Sequence, residues 1–162
     1  MAKSKQSQGT QATVALTKAK VEFSTHVYDH DPAAKSFGLE AAEALGLAPE
    51  QVFKTLLVEV DGKLTVGVVP VDRQLDLKAI AAAAGGKKAV MADPAAAERT
   101  TGYVVGGISP IGQKRALPTV VDSTVTEHTT VYVSGGRRGL DIGLSPTDLI
   151  TVTKARTAAI AR

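Results

Sequence analysis

Phe53-Lys54-Thr55-Leu56-Leu57-Val58-Glu59-Val60, Asp61-Gly62, then Lys63-Leu64-Thr65-Val66-Gly67-Val68-Val69-Pro70 is the most strongly patterned stretch of the chain. Two runs rich in β-branched and aliphatic residues flank a two-residue Asp-Gly loop. Both residues of such a loop must take positive φ, so the stretch predicts a β-hairpin closed by a type I′ turn. Lys54 stands near the start of an otherwise apolar strand, where a long cation must either reach solvent or meet an anion. Read structurally, it carries its charge to a strand edge. Read functionally, it holds a phosphate or polarises a carbonyl, with Thr55 beside it able to hydrogen-bond.

Downstream of the hairpin, Asp76-Leu77-Lys78-Ala79-Ile80 and four alanines predict a helix ended by Gly85-Gly86. Asp93-Pro94-Ala95-Ala96-Ala97-Glu98 opens another, with an acid at the N-cap and proline at the first helical position. Tyr103-Val104-Val105, Thr119-Val120-Val121-Asp122, Thr129-Thr130-Val131-Tyr132-Val133 and Leu140-Asp141-Ile142-Gly143-Leu144 read as strands. Between the last two, Ser134-Gly135-Gly136-Arg137-Arg138-Gly139 reads as a glycine-rich turn. Ser145-Pro146-Thr147-Asp148 starts a helix with both capping-box elements, and the chain is expected to fray after Lys154.

Upstream, residues 12–20 make a weakly amphipathic helix, and residues 21–28 alternate as a strand with Val21, Phe23 and Val27 on one face. Asp29-His30-Asp31-Pro32 is a polar turn. Ser36 precedes a helix over Leu39-Glu40-Ala41-Ala42-Glu43-Ala44-Leu45 that Gly46 stops, and Ala48-Pro49-Glu50-Gln51-Val52 adds one helical turn. Residues 1–11 read as a polar, disordered tail, leaving residues 12–162 as one domain. Short helices and hairpin-like strand pairs predict an α+β fold: a mixed, largely antiparallel sheet or barrel with helices packed outside.

The 162 residues are 44% hydrophobic and 22% charged, with a net charge of +3 and no cysteine. Absence of cysteine excludes a disulfide framework, a thiolate metal site and a cysteine nucleophile, and it is compatible with a reducing, cytoplasmic setting. No apolar run approaches the ~20 residues of a membrane span, and the start lacks the apolar core of a secretory signal. The charge excess is too small to imply duplex DNA binding by itself. Lys87-Lys88, Lys114-Arg115 and Arg137-Arg138 lie close to glycines; on one face they make a phosphate-attracting patch, and otherwise they are solvated surface.

The stretch Thr101-Gly102-Tyr103-Val104-Val105-Gly106-Gly107-Ile108-Ser109-Pro110-Ile111-Gly112-Gln113-Lys114-Arg115 carries a different signal. Gly106 and Gly107 remove Cβ atoms where another group can approach the backbone, and Ser109-Pro110 forces an extended or turn conformation. A loop with free backbone donors, a hydroxyl and cations suits an anionic or carbonyl-bearing ligand, whereas its plainer reading is a tight turn. His26 and His30 lie near Asp29 and Asp31, but their spacing matches no zinc motif, and no metal is expected. No serine sits in a nucleophile elbow. Tyr28 and Phe37 read equally as walls of a small pocket or as core.

Tyr28-Asp29-His30-Asp31-Pro32, Phe37-Gly38 with Glu40-Ala41-Ala42, Val52-Phe53-Lys54-Thr55-Leu56, Met91-Ala92-Asp93, residues 101–114, and Tyr132-Val133-Ser134-Gly135-Gly136 with Arg138-Gly139-Leu140 follow one another in the order that resembles the YbaK family. Those are Cys-tRNA(Pro) deacylases related to the editing domain inserted in bacterial prolyl-tRNA synthetase. The resemblance implies hydrolysis of the ester joining cysteine to a tRNA that should carry proline. It assigns the essential lysine to Lys54. Tyr28, Phe37, Thr55, Gly106, Gly107, Ile108, Ser109, Pro110, Ser134 and Asp141 fall at substrate-pocket positions. It further implies catalysis by substrate groups, including the bound cysteine's thiol, with the Gly106 and Gly107 N–H groups stabilising the oxyanion. Lys54 would hold the terminal phosphate or an ester oxygen, and the basic pairs would contact the tRNA backbone. The implied partners are the tRNA(Pro) acceptor end and prolyl-tRNA synthetase, with no cofactor, metal or membrane. Relatives of similar fold remove alanine, so Ala-tRNA(Pro) deacylation and non-catalytic acceptor-end binding stand as alternatives.

Overall fold

Residues 9–34 and 36–162 are described by the computed structural model. Their order is α1 (Gln11–Lys18), β1 (Ser24–Val27), α2 (Phe37–Leu45), a 3-10 turn (Pro49–Gln51), β2 (Phe53–Val60), β3 (Lys63–Pro70), α3 (Leu77–Ala83), β4 (Ala89–Met91), α4 (Pro94–Thr101), β5 (Thr119–Asp122), a second 3-10 turn (Ser123–Glu127), β6 (Val131–Arg137), β7 (Leu140–Leu144), α5 (Pro146–Thr153) and β8 (Arg156–Ala158). Residues 1–8 of the expected tail lie outside the described residues. Thr10 and Gln11 are part of the fold: Thr10 caps α1, and the Gln11 amide donates to the Thr101 and Gly112 carbonyls.

The hairpin forms as its loop requires, with φ of 48° at Asp61 and 84° at Gly62. β2 and β3 pair antiparallel in continuous register from Phe53↔Pro70 to Val60↔Lys63. They are the centre of a five-stranded sheet ordered β4-β2-β3-β5-β8, in which β3–β5 and β5–β8 run parallel. A three-stranded antiparallel sheet, β1-β7-β6, faces it. The result is the expected mixed α+β fold, resolved as two open sheets; the barrel alternative does not close.

Phe53, Leu57, Val66, Val68 and Val121 of the larger sheet pack with Val131, Val133, Ile142 and Leu144 of the smaller. Val58, Val60, Val69 and Val120 pack on Ile80, Leu75 and Ile160. With both faces covered, the central strands read as near-continuous apolar runs instead of alternating ones.

Four local readings change. Residues 103–105 are not a strand, because the Glu98 carboxylate takes the Val105 N–H (2.8 Å) and the Gly107 N–H donates to the Val104 carbonyl (2.9 Å), so no ladder partner remains. β6 continues through Gly135 and Gly136 with a register irregularity, and the turn is confined to Arg138-Gly139. Val27 is 55% exposed and does not join Val21 and Phe23 against the core. The chain does not fray after Lys154: β8 pairs with β5, Ile160 is fully buried, and Gln74 and Arg162 exchange backbone hydrogen bonds of 3.0 and 2.8 Å.

Candidate active site

A cavity of about 370 Å³ opens between the two sheets. Its wall takes Lys54 and Thr55 from the start of β2, and Phe37 and Gly38 from the first turn of α2. Met91, Ala92, Pro94 and Ala97 come from β4 and α4, while Val105, Gly106 and Ile108 come from the following loop. Tyr28, Ser134 and Asp141 close it from the smaller sheet. Local chemistry aims these elements: the Ser36 hydroxyl caps α2 by accepting from Leu39 N, and the Asp93 carboxylate caps α4 by accepting from Ala96 N.

Eight of the eleven residues singled out from the sequence therefore share one wall: Tyr28, Phe37, Lys54, Thr55, Gly106, Ile108, Ser134 and Asp141. Gly107, Ser109 and Pro110 do not. Gly107 is buried, and a Cβ on it would lie 2.7 Å from the Arg137 Cα, so this glycine permits the loop to press on the β6–β7 turn. Its N–H is already committed to Val104, which removes it as an oxyanion donor in this geometry. Ser109 is fully buried; its hydroxyl accepts from Ile111 N and its carbonyl from the Gln113 amide. Together with the Tyr103 hydroxyl on the Ile111 carbonyl (2.5 Å), these bonds shape the loop from within. Gly106 and Ile108 belong to the wall, and their N–H groups have no hydrogen-bond partner among the described residues.

Gly38, Met91, Ala92, Pro94 and Ala97 also line the cavity, and nothing in the sequence marks them individually as wall residues. Gly38, Pro94 and Ala97 belong to the starts of two helices, Met91 ends β4 and Ala92 follows it, and apolar residues are too ordinary in either setting to offer a distinguishing signal in a sequence.

The polar groups of the wall are poorly compensated. Thr55 Oγ1 is the one buried side-chain oxygen among the described residues without a hydrogen bond. Such an atom ordinarily carries a cost of a kcal/mol or more unless a ligand meets it, about 1–3 kcal/mol. Burial lowers the Lys54 ammonium from its usual pKa, partly offset by the charge of Asp72. Burial raises the Asp141 carboxyl to about 7 and, with help from the charge of Asp141, the Tyr28 hydroxyl to about 12. Beside Phe37, His30 Nδ1 and Glu40 Oε1 meet at 2.8 Å, and the second Glu40 oxygen accepts from Asp31 N.

A buried acid that holds its proton above the pH of its unfolded form destabilises the fold once ionised. The native state binds the extra proton, so stability falls as pH rises from about 4 through 7. Asp141→Asn is expected to flatten that slope and to gain roughly 2–4 kcal/mol at pH 8 but little at pH 4. Denaturant unfolding at the two pH values measures it, and equal gains at both would contradict the assignment.

The Lys87-Lys88 pair lies away from the cavity. The backbone N–H groups of Lys87 and Lys88 dock on the Asp61 carboxylate at the hairpin tip, seven residues along β2 from Lys54 or roughly 23 Å at the rise of a strand. Lys114 and Arg115 follow the C-terminus of α4. Arg138 turns its guanidinium onto the Val105 carbonyl and the Phe37 ring. Among the described residues no group of three His, Cys, Asp or Glu could hold a metal, and no helix is long and apolar enough to cross a membrane.

Residues 31–152 match the family model described as "Aminoacyl-tRNA editing domain". An Enterococcus faecalis protein named "Putative Cys-tRNA(Pro)/Cys-tRNA(Cys) deacylase EbsC" is 37% identical over 166 residues, covering 99% of this chain and 98% of that protein. Proline--tRNA ligase of Moorella thermoacetica is 28% identical over 100 residues, which are 62% of this chain and 17% of the ligase. A solved structure titled "Crystal structure of a putative trans-editing enzyme for prolyl tRNA synthetase" superposes with a TM-score of 0.80 at 24% identity, over 94% of this chain and 95% of that one. The likeness in fold and the motif order expected of the YbaK group agree. By its matched residues and its near full-length relative, the chain belongs to the aminoacyl-tRNA editing domain family.

Proposed function

We propose that the protein is a tRNA-editing deacylase that hydrolyses mischarged Cys-tRNA(Pro) in trans, within the cavity that joins Lys54 to Gly106. The observation that carries this reading is the convergence of Lys54, Thr55, Tyr28, Phe37, Gly106 and Asp141 on one space of about 370 Å³. That volume suits an aminoacyl group with part of its terminal nucleoside, not a duplex or a large cofactor. The relatives' names point the same way: one is called a deacylase of Cys-tRNA, and the other match lies inside a proline--tRNA ligase. The tRNA acceptor end is the proposed substrate, and prolyl-tRNA synthetase the proposed source of it.

No protein nucleophile is required. The chain has no cysteine, and no hydrogen bond joins a lining serine to a histidine among the described residues. The Ser134 hydroxyl instead accepts from Gly136 N. The bound cysteine's own thiol would attack its ester carbonyl, closing a four-membered thiolactone as the C–O bond to the tRNA ribose breaks and the ribose hydroxyl takes up the thiol proton, and water would then open the thiolactone to free cysteine. Lys54 would hold the terminal phosphate or an ester oxygen, and the Gly106 N–H would meet the developing oxyanion, with Ile108 N–H as the second free donor in place of Gly107. The mostly apolar wall around these groups strengthens each contact.

The test is release of labelled amino acid from Cys-tRNA(Pro), Ala-tRNA(Pro) and several correctly charged tRNAs. The expected result is fast release of cysteine with alanine largely left on its tRNA, since alanine carries no thiol, whereas side-chain volume alone would discriminate by only about 1–3 kcal/mol. Salt-dependent tRNA binding with every ester left intact would make the domain a binding module and overturn the proposal.

A further inference from the structure

Arg138 is exposed at the turn between β6 and β7, yet its guanidinium is engaged. Nε and Nη2 both donate to the Val105 carbonyl, at 3.0 and 2.6 Å. The guanidinium carbon sits 4.9 Å from the centre of the Phe37 ring, within cation–π range. Gly106 fits directly beneath this arrangement: a Cβ there would lie 2.6 Å from Arg138 Nε and 3.1 Å from the Phe37 ring. The next residue, Gly139, accepts a hydrogen bond from Tyr28 N at 2.9 Å. One side chain thus joins the loop, α2 and the β6–β7 turn at the rim of the cavity.

The carbonyl that Arg138 grips belongs to the same peptide unit as the Gly106 N–H. No peptide bond among the described residues is cis. In a planar trans peptide the C=O and N–H point in opposite directions, so fixing one fixes the other. The Gly106 N–H therefore cannot swing while Arg138 holds the Val105 oxygen. A cation on the carbonyl also polarises the peptide and strengthens the N–H as a donor.

We propose that Arg138 is a positioning residue that orients and polarises the Gly106 N–H toward the cavity, acting through the Val105–Gly106 peptide and not by contact with nucleic acid. The catalytic half of this proposal rests on the deacylase reading above; the structural half, that Arg138 holds the loop, does not. If Arg138 contacted a phosphate, its loss would weaken tRNA binding and reduce the salt slope by about one unit. A positioning role leaves the salt slope unchanged and lowers turnover instead.

The experiment compares wild type with Arg138→Ala and Arg138→Lys. Arg138→Ala is expected to lower kcat for Cys-tRNA(Pro) about 10- to 100-fold with little change in KM, the scale set by small misplacements of reacting groups. Millimolar guanidinium chloride is expected to restore part of the lost kcat, and Arg138→Lys to retain only part, because an ammonium lacks the fork. Hydrogen exchange of the Val105 and Gly107 amides gives a readout independent of catalysis, with at least a tenfold acceleration expected in Arg138→Ala. Accelerated exchange in a protein that never deacylates would sink the function while leaving the tie in place. Unchanged exchange, or an unchanged kcat with a lower salt slope, would overturn the assignment of Arg138.

Discussion

Lys54→Ala is expected to reduce release of cysteine from Cys-tRNA(Pro) by roughly 100- to 1000-fold, the effect typical of deleting one preorganised charge-stabilising donor. The charge of Asp72 only partly offsets the burial of Lys54, and the one carboxyl on the cavity wall, Asp141, is kept largely protonated below about pH 7 by its own burial. The ammonium is therefore poorly compensated until an anionic or carbonyl ligand arrives. Its lowered pKa shows that the fold disfavours the charge: a base with a depressed folded pKa destabilises the native state wherever it is protonated. Lys54→Met, which keeps the apolar stem and removes the charge, should consequently unfold at or above the wild-type temperature while being as inactive as Lys54→Ala. Steady-state deacylation and thermal unfolding of both variants make the check. Retention of wild-type turnover in either would remove Lys54 from the mechanism.

The largest expected loss of stability lies elsewhere, at Asp122. Its buried carboxylate accepts from Ile160 N and Ala161 N at 2.9 Å each and from Thr124 N and Oγ1 at 3.2 and 2.6 Å. Asp122→Ala leaves those donors unpaired in the interior and releases the C-terminal segment from β5, at a cost of roughly 3–5 kcal/mol. Asp122→Asn keeps one acceptor oxygen and should lose about half as much. Burial alone would raise the Asp122 pKa, but the hydrogen bonds from Thr124, Ile160 and Ala161 outweigh it and hold the carboxyl below its usual range. Its contribution is therefore present above the unfolded pKa, near 4, and disappears as pH falls through the lowered native value. Urea unfolding of wild type should show a steeper loss of stability below pH 4 than Asp122→Ala does. Parallel curves would mean that the carboxylate is not the anchor.

Local chemistry was legible in the residues wherever one short segment contained the whole instruction. Asp61-Gly62 needs no distant partner to take positive φ, and Asp76, Asp93 and Ser145 each cap a helix from within three residues. Motif order sufficed to identify the family, and with it eight residues of the cavity wall.

What no segment contains is the identity of its neighbours. Val105 and Tyr103 are strand-forming types, but Glu98 and Arg138 claim the N–H and carbonyl of Val105, and the Thr101 hydroxyl takes the N–H of Tyr103. Residues after Lys154 look unremarkable until Asp122, far back in the chain, supplies their N–H groups with an acceptor. Gly106 and Gly107 are alike in sequence, yet Gly106 lines the cavity with its N–H unpartnered among the described residues, whereas the Gly107 N–H is engaged with Val104. The sequence by itself determined turns, caps, the α+β class and the order of motifs, because these depend on covalent geometry and near neighbours. Only the tertiary structure decided which donors remain free, which cations turn inward and which strands run parallel, because those depend on groups that meet only after the chain has closed.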